Sequence, residues 1–346
     1  MNEKRKGARR WTALALSVAM VFSGIGILPA PVKAEAADVA AAVQKTGEKT
    51  EEKTAVIEIA KAAGLTLLSE EERNPLYTTT YGVGEVIKDA VRNGCRKFIV
   101  GIGGSATNDG GAGMLQALGF GLLKENGEQI PIGARGLEEL AEITDDNVIP
   151  ELAECKFKIA CDVTNVLCGE TGASAVYGPQ KGADEEMTER LDRLLFSYAS
   201  LVKKKIPKAD SMYPGTGAAG GLGFAFLTFM DAQLESGIQI VIKETGLEQE
   251  IAKADLVITG EGRMDGQTAM GKAPIGIAKI AKKYGKPVIA FAGAAARDAG
   301  ACNEQGIDAF FPILREAVSL EAAMKRENAE ANMEAAVEQA YRLWRL

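Results

Sequence analysis

Histidine is absent from this sequence of 346 residues. Its absence excludes a Ser-His-Asp triad, a Cys-His pair and any metal site with an imidazole ligand. The side chains left for proton transfer are those of aspartate, glutamate, lysine and tyrosine. Any general base in this protein must therefore be one of these four.

Cysteine is also scarce, with five residues and no C-x-x-C pair. A disulfide framework shows an even and dense set of cysteines, so we expect buried free thiols here. The five are Cys95, Cys155, Cys161, Cys168 and Cys302.

A basic stripe is missing from most of the chain. Residues 1–37 hold six Lys/Arg and two Asp/Glu, so they carry +4 and the remaining residues carry −11 of the net charge of −7. Such an acidic body argues against nucleic acid as a partner.

The N-terminus has the layout of a secretory signal peptide over residues 1–36. Five lysines and arginines lie between Lys4 and Arg10, the 18 residues from Trp11 to Leu28 carry no charge, and Ala34-Glu35-Ala36 places small residues at a cleavage site. An uncleaved anchor that contacts the membrane through residues 11–28 is the alternative, and a wrongly joined reading frame would also explain the pattern. Residues 37–53 are polar and predict a linker.

From residue 54 to the C-terminus, strands alternate with helices, which predicts an α/β protein with parallel sheets covered on both faces. The strands are predicted at 54–60, 97–104, 157–162, 238–246, 255–260, 287–293 and 307–313. The helices are predicted at 79–94, 111–118, 187–206, 215–230, 274–285 and 320–344.

Glycine-rich loops follow several of these strands, where ligands of parallel sheets bind. The loop GIGGSATNDGG (101–111) offers backbone N–H groups to an anion and places a carboxylate beside them. Its candidate binding residues are Gly103, Gly104, Ser105, Thr107 and Asn108. Asp109 could accept a proton or bind Mg²⁺. A tight turn with a helix cap is the structural alternative.

Two further loops carry weaker signals. Asp162 ends a predicted strand, and Lys181 lies between glycines as a candidate partner for a phosphate or a carboxylate. Gly220 and Gly221 precede an apolar helix, where they could bind phosphate or permit close packing of the helix.

The segment DLVITGEGRMDGQTAMGKAPIG (255–276) has the densest set of charged and polar side chains. It contains G-x-x-x-x-G-K, but Ala273 occupies the position of the Mg²⁺-binding hydroxyl, so it is not a Walker A loop. Cations beside carboxylates are what phosphoryl transfer requires. The candidates are Glu261, Arg263, Asp265, Thr268 and Lys272.

Taken together, these loops resemble the bacterial glycerate kinase family, whose members use ATP to phosphorylate glycerate. The matching stretches are NPLYTTTYGVGEVIKDA, GIGGSATNDGGAGMLQALG, ACDVTNVLCGETGASAVYGPQKGA, GAAGGLG and DLVITGEGRMDGQTAMGKAPIGIA. The resemblance covers residues 54–346 and implies a flavodoxin-like α/β domain with a second α/β domain inserted into it. It also implies ATP, Mg²⁺, glycerate and a cytoplasmic location, whereas the N-terminus predicts secretion or anchoring.

The resemblance also suggests roles for the candidate residues. Asp109 or Asp162 would activate the glycerate hydroxyl or bind Mg²⁺, and Asp265 is a further metal candidate. Arg263, Lys272 and Lys181 would neutralise phosphate or carboxylate charge. Whether the 2- or the 3-hydroxyl is phosphorylated stays open, as does the oligomeric state.

One departure from the family pattern leads to a second hypothesis. An Asp-Ser-Phe-Lys type segment and an Asp-Gly-Gly-Glu-Gly segment, typical of the start of family members, do not occur before Thr54. We therefore expect the first strands of the flavodoxin-like domain to be missing. A non-catalytic protein that binds glycerate or nucleotide, exported or tethered to a membrane, is the alternative to a kinase.

Overall fold

The computed structural model of the protein describes residues 53–346, which fall into two compact units, 53–237 and 238–346. The predicted signal segment and nearly all of the predicted linker lie outside the described residues. Within residues 53–346 no helix is long and apolar enough to cross a membrane.

The first unit is built on a parallel sheet of four strands in the order β1-β2-β5-β6. Val100 of β2 pairs with Ile159 of β5, which in turn pairs with Leu234 of β6. A separate antiparallel ribbon joins β3 to β4. The strands are β1 (Lys53–Glu58), β2 (Cys95–Gly101), β3 (Gly121–Leu123), β4 (Glu142–Thr144), β5 (Lys156–Ala160) and β6 (Ala232–Glu235).

Six helices belong to the first unit, and amphipathic spacing explains how they are buried. In the second of them, Val83, Ile87, Ala90 and Val91 follow the i, i+4, i+7, i+8 pattern and are buried. The six helices are α1 (Ala60–Ala63), α2 (Tyr81–Arg92), α3 (Ala112–Ala117), α4 (Ala173–Tyr177), α5 (Glu185–Lys205) and α6 (Ala218–Phe229).

The second unit has a parallel sheet of three strands in the order β7-β8-β9. The strands are β7 (Val257–Met264), β8 (Val288–Ala295) and β9 (Ala309–Pro312). The helices are α7 (Gly237–Thr245), α8 (Leu247–Lys253), α9 (Gly266–Ala269), α10 (Ala273–Lys283), α11 (Ala301–Glu304), α12 (Leu320–Met324) and α13 (Arg326–Trp344). The predicted α/β class with largely parallel sheets is confirmed, while the insertion of one domain into another stays a prediction.

Two predicted elements differ in the structure. Residues 238–246 are predicted as a strand, but this segment lies in helix α7. A short run of β-branched residues is compatible with both structures, and here packing decides for the helix. The single helix predicted at 320–344 is divided at Lys325, whose ψ of 129° is extended.

The cysteine prediction is confirmed, because all five cysteines are free. Cys95, Cys155 and Cys302 are buried, and the other two are partly buried.

Helix α2 packs so closely on α3 that one position requires glycine. A Cβ on Gly84 would lie 2.5 Å from the carbonyl oxygen of Met114 and 2.6 Å from Cβ of Ala117. Both distances are far below van der Waals contact, so the two helices would have to separate to admit a methyl group.

We predict that Gly84→Ala lowers the free energy of unfolding by about 2 kcal/mol, because overpacking of a core costs about 1–3 kcal/mol. Equilibrium urea unfolding measures this. Glu85→Ala, an exposed change on the next residue of the same helix, is the control and should stay within about 0.5 kcal/mol of the wild type. An equal effect of the two changes would contradict the packing argument.

Candidate active site

The loop after β2 presents only its first glycines to solvent. Gly103 and Gly104 are exposed, whereas residues 105–111 are buried. The backbone N–H of Leu65 donates to the Gly104 carbonyl over 2.9 Å, and that of Ala106 donates to Ala63 over 2.8 Å. Of the predicted binding residues in this loop, Gly103 and Gly104 can therefore meet a ligand directly, and Ser105, Thr107 and Asn108 lie behind them.

Asp109 lies in the interior of the first unit, with no exposed surface. Its carboxylate accepts five hydrogen bonds, two from the Thr80 backbone N–H (2.8 Å) and hydroxyl (3.0 Å), one from the Thr79 hydroxyl, and two from the N–H groups of Gly111 and Gly113. Burial raises the pKa of Asp109, and these donors oppose the rise. The carboxylate has no open face, so the predicted proton transfer or Mg²⁺ binding at Asp109 does not fit this placement.

Lys181 is the second charged side chain in this interior, with 2% of its surface exposed. Its ammonium group donates to the Thr107 carbonyl oxygen over 2.6 Å. Burial lowers the pKa of Lys181 to about 7, and the nearby Asp109 charge opposes that shift. This burial does not favour direct contact between Lys181 and a phosphate or a carboxylate, and the predicted role of Lys181 in binding the ligand stays a prediction.

A break at the start of α6 brings a second glycine-rich segment against the same loop. Ala219, Gly220 and Gly221 all have positive φ angles, of 52°, 67° and 92°. The Gly110 N–H donates to the Gly220 carbonyl over 2.9 Å, and a Cβ on Gly220 would lie 2.1 Å from the Thr107 carbonyl oxygen. Of the two roles considered for Gly220 and Gly221, this geometry favours close backbone packing, since both are buried.

Asn108 is fixed from the side of α4. Its Nδ2 donates to the Ser174 hydroxyl over 2.9 Å. Among the described residues, the buried Asn108 Oδ1 and Thr107 Oγ1 have no hydrogen-bond partner. The loop is therefore held mainly by its backbone, by Asp109 and by Lys181.

Asp162 is one of two exposed acids of the first unit near this loop, the other being Glu58 of β1, which is paired with Gly101. Asp162 follows β5, and Ala160 of β5 is paired with Gly101 of β2, so both strands end at the same edge of the sheet. One of its oxygens accepts the Gly237 N–H over 3.0 Å. The open part of the site in this unit thus includes Gly103, Gly104 and Asp162, with Glu58 at the same edge of the sheet.

In the second unit, an acid and a hydroxyl shape the turn after β7. Asp265 caps α9 by accepting the N–H groups of Gln267 (3.0 Å) and Thr268 (3.2 Å) through Oδ1. The buried Thr268 hydroxyl donates to Glu261 and accepts the Asp265 N–H. Burial raises the pKa of Glu261, while the Thr268 hydroxyl and Lys272 oppose the rise.

Two cations flank Asp265 and remain accessible. Arg263 Nε and Lys272 Nζ each lie 3.9 Å from a carboxylate oxygen of Asp265, and their side chains are 67% and 43% exposed. Burial by itself would raise the pKa of Asp265, but the Thr268 N–H and Lys272 lower it overall. Arg263 and Lys272 therefore form an exposed cationic surface beside the ionised carboxylate of Asp265. Such a surface is suited to bind an anion.

Sequence reasoning missed three residues of these sites. Thr79 and Thr80, which hold Asp109, belong to a run of three threonines just before α2. Asp298 follows β8 and lies so close to α9 that a Cβ on Gly266 would be 2.7 Å from its Oδ2. The available signal for Asp298 was its position after a predicted strand. Within residues 53–346 no cluster of three or more acidic or thiol side chains could hold a metal.

We predict that Asp109→Asn lowers the free energy of unfolding by about 2 kcal/mol, because the amide NH₂ would face N–H and O–H donors that then lack an acceptor. Chemical unfolding followed by circular dichroism measures the loss. Asp146→Asn, on an exposed aspartate, is the matched control and should change stability by less than about 0.5 kcal/mol. A wild-type stability for Asp109→Asn would rule out the carboxylate as the organiser of this loop.

Comparison with known proteins identifies relatives along most of the chain. The model of the Glycerate kinase family matches residues 20–345. A protein named glycerate kinase from Halalkalibacterium halodurans is 49% identical over 280 residues, which cover 81% of this chain and 74% of that protein. A protein named glycerate 2-kinase from Escherichia coli is 49% identical over 273 residues, covering 79% of this chain and 72% of that protein.

A solved structure agrees with the fold. The crystal structure of a protein described as glycerate kinase 2 from Salmonella typhimurium LT2 is similar with a TM-score of 0.73 and 48% sequence identity, over 83% of this chain and 75% of that one. Both units contribute residues to a match of this extent. The chain belongs to the glycerate kinase family.

Proposed function

We propose that this protein is an ATP-dependent glycerate kinase. The observation that carries the proposal is that relatives named glycerate kinase or glycerate 2-kinase are 49% identical to this chain over aligned stretches of 273 to 280 residues, which extend into both units. In the reaction, a hydroxyl oxygen of glycerate forms a bond to the γ-phosphorus of ATP, the bond from that phosphorus to the β–γ bridging oxygen breaks, and ADP leaves with the electron pair. The hydroxyl proton passes to a base or to solvent.

In the first unit, the exposed Gly103–Gly104 backbone binds an anionic group, either the glycerate carboxylate or a phosphate. Glycine permits this close approach because no side chain stands between the backbone and the anion. Asp162, exposed at the same edge of the sheet, is the residue that accepts the hydroxyl proton or binds a metal. Asp109 acts from behind by fixing the loop.

In the second unit, Arg263 and Lys272 neutralise anionic charge, and Asp265 orients both cations. Glu261 fixes Thr268 and through it the start of α9. Phosphoryl transfer depends mostly on positioning and on neutralisation of charge, so exposed cations on a rigid turn are what the reaction needs.

Magnesium fits the acids of both units. Mg²⁺ binds one or two carboxylates together with phosphate oxygens. Asp162 and Asp265 each use one oxygen for backbone N–H groups and have a second oxygen that accepts no hydrogen bond in the described part of the chain. When bound, the ion would neutralise charge on the transferred phosphoryl group.

The second candidate is a protein that binds glycerate or nucleotide without turnover. The sequence pattern over residues 1–36 supports it, since export or membrane tethering through residues 11–28 would separate the protein from cytoplasmic ATP. Stabilisation by glycerate or ATP in a thermal-shift assay, without release of ADP, is the result that favours this candidate.

We predict that the full chain, given Mg²⁺ and ATP, releases ADP only when glycerate is present, with kcat on the order of 10 s⁻¹. The name of the Escherichia coli relative favours the 2-hydroxyl, so phosphorus NMR of the product should show 2-phosphoglycerate. Lactate lacks the 3-hydroxyl, so phosphorylation of lactate would also indicate that the 2-hydroxyl reacts. A folded sample that binds ligand and forms no ADP would reject the kinase.

We predict that Lys272→Met raises KM for one of the two substrates at least about tenfold, because a charge-assisted contact to an anion contributes about 1.5–3 kcal/mol. Steady-state kinetics with each substrate varied in turn measures this, and the substrate affected identifies the anion. Lys279→Met, on an exposed lysine of the same helix, is the control and should leave both KM values unchanged. Equal kinetics for the two variants would remove Lys272 from the site.

A further inference from the structure

Asp109 and Lys181 are the two charged residues that are buried within residues 53–346. Both hold the same three-residue stretch, 107–109, Asp109 from within it and Lys181 through the Thr107 carbonyl, and the Asp109 charge opposes the lowering of the Lys181 pKa by burial. A buried ion that loses its partner is far more unfavourable than the pair, because no water replaces the missing charge. The roles of the two side chains must therefore be considered together.

The contacts of Lys181 are internal to the fold. Lys181 ends the short helical turn Pro179–Lys181, between α4 and α5, and reaches the Thr107 carbonyl from there. From the same side, Ser174 accepts the hydrogen bond from Asn108. The segment 173–181 thus fixes two consecutive residues of the loop, and the exposed Gly103–Gly104 pair lies only a few residues before them.

Three opposing contacts leave the loop little freedom. Asp109 is held by Thr80, the Gly110 N–H is held by Gly220, and the Thr107 carbonyl is held by Lys181. Without the lysine, the Thr107 carbonyl loses its charged donor while Gly220 remains packed against it. The resulting shift would pass along the backbone to Gly103 and Gly104.

We propose that Lys181 is a positioning residue, whose buried ammonium group balances Asp109 and fixes the Thr107 carbonyl so that the exposed Gly103–Gly104 backbone is held in shape to bind an anion. The proposal rests on the proposed function for the identity of that anion. It assigns Lys181 an effect on substrate binding without any contact between Lys181 and the substrate.

Steady-state kinetics of three variants of the full chain test the proposal. Lys181→Met removes both the charge and the donor, Lys181→Gln keeps a donor and removes the charge, and Lys204→Met on the exposed face of α5 is the control. We expect Lys181→Met to raise KM for either glycerate or ATP about tenfold or more, since small misplacements of binding groups are costly in rate and affinity. Lys181→Gln should have a smaller effect, and Lys204→Met none.

The KM values separate positioning from mere stability. A purely structural role would reduce the amount of folded enzyme, which lowers apparent kcat and leaves both KM values unchanged, and that result would overturn the proposal. A rise in KM for glycerate alone identifies the bound anion as the carboxylate, and a rise for ATP alone identifies it as a phosphate.

A double-mutant cycle tests the pairing independently of turnover. Thermal unfolding is measured for Asp109→Asn, Lys181→Met and the double variant. The loss in Tm of the double variant should be clearly smaller than the sum of the two single losses, because the second change no longer leaves a buried charge without its partner. Additive losses would overturn the pairing even in an active enzyme. If the wild type forms no ADP, the proposed kinase fails, whereas the cycle still decides whether Lys181 and Asp109 act as one unit.

Discussion

The carboxylate of Asp109 is the interaction on which the first unit's site depends. The threonines before α2, about 30 residues away in sequence, and the glycines that lead into α3 both donate to it, while Lys181, from the turn before α5, holds the neighbouring Thr107 carbonyl. A buried acid requires donors on every side, and each donor fixes a piece of backbone. The loop after β2 is consequently rigid behind its exposed glycines, which is the property that an anion-binding backbone needs, since its dipoles must be oriented before the ligand arrives.

The second unit also has an acid that accepts backbone N–H groups, but there the charged side chains are exposed. Asp265 also accepts backbone N–H groups at the start of a helix, but its side chain is 23% exposed and the cations beside it face solvent. The first unit therefore presents exposed backbone with its cation buried behind it, and the second presents exposed cations beside a capping acid. Phosphoryl transfer uses both kinds of group, oriented dipoles and countercharge.

Much of the fold could be predicted from the sequence, because alternating strands and helices have distinct periods and end in recognisable turns. The helix at residues 238–246 could not, since a nine-residue segment with four apolar side chains is too short to separate the two periods. The site was predicted less well than the fold. The sequence suggested Asp109 and Lys181 as ligand-binding residues and could not show that both are buried, because burial is a property of tertiary packing. Gly220 shows the same limit, since a glycine that admits a neighbouring backbone and one that admits a phosphate look identical in sequence.

Family membership alone does not resolve this ambiguity. A residue that binds the ligand and a residue that holds the binding loop are both needed for the reaction, so both belong to the stretches that match. Burial and hydrogen bonding distinguish them. Lys181 is buried and already donates to a carbonyl oxygen, so it has little left to offer a substrate. Lys272 lies in solvent near an acid and would gain by exchanging water for phosphate or carboxylate. On this criterion Gly103, Gly104, Asp162, Arg263 and Lys272 are the predicted residues that we propose to contact substrate, because they remain accessible.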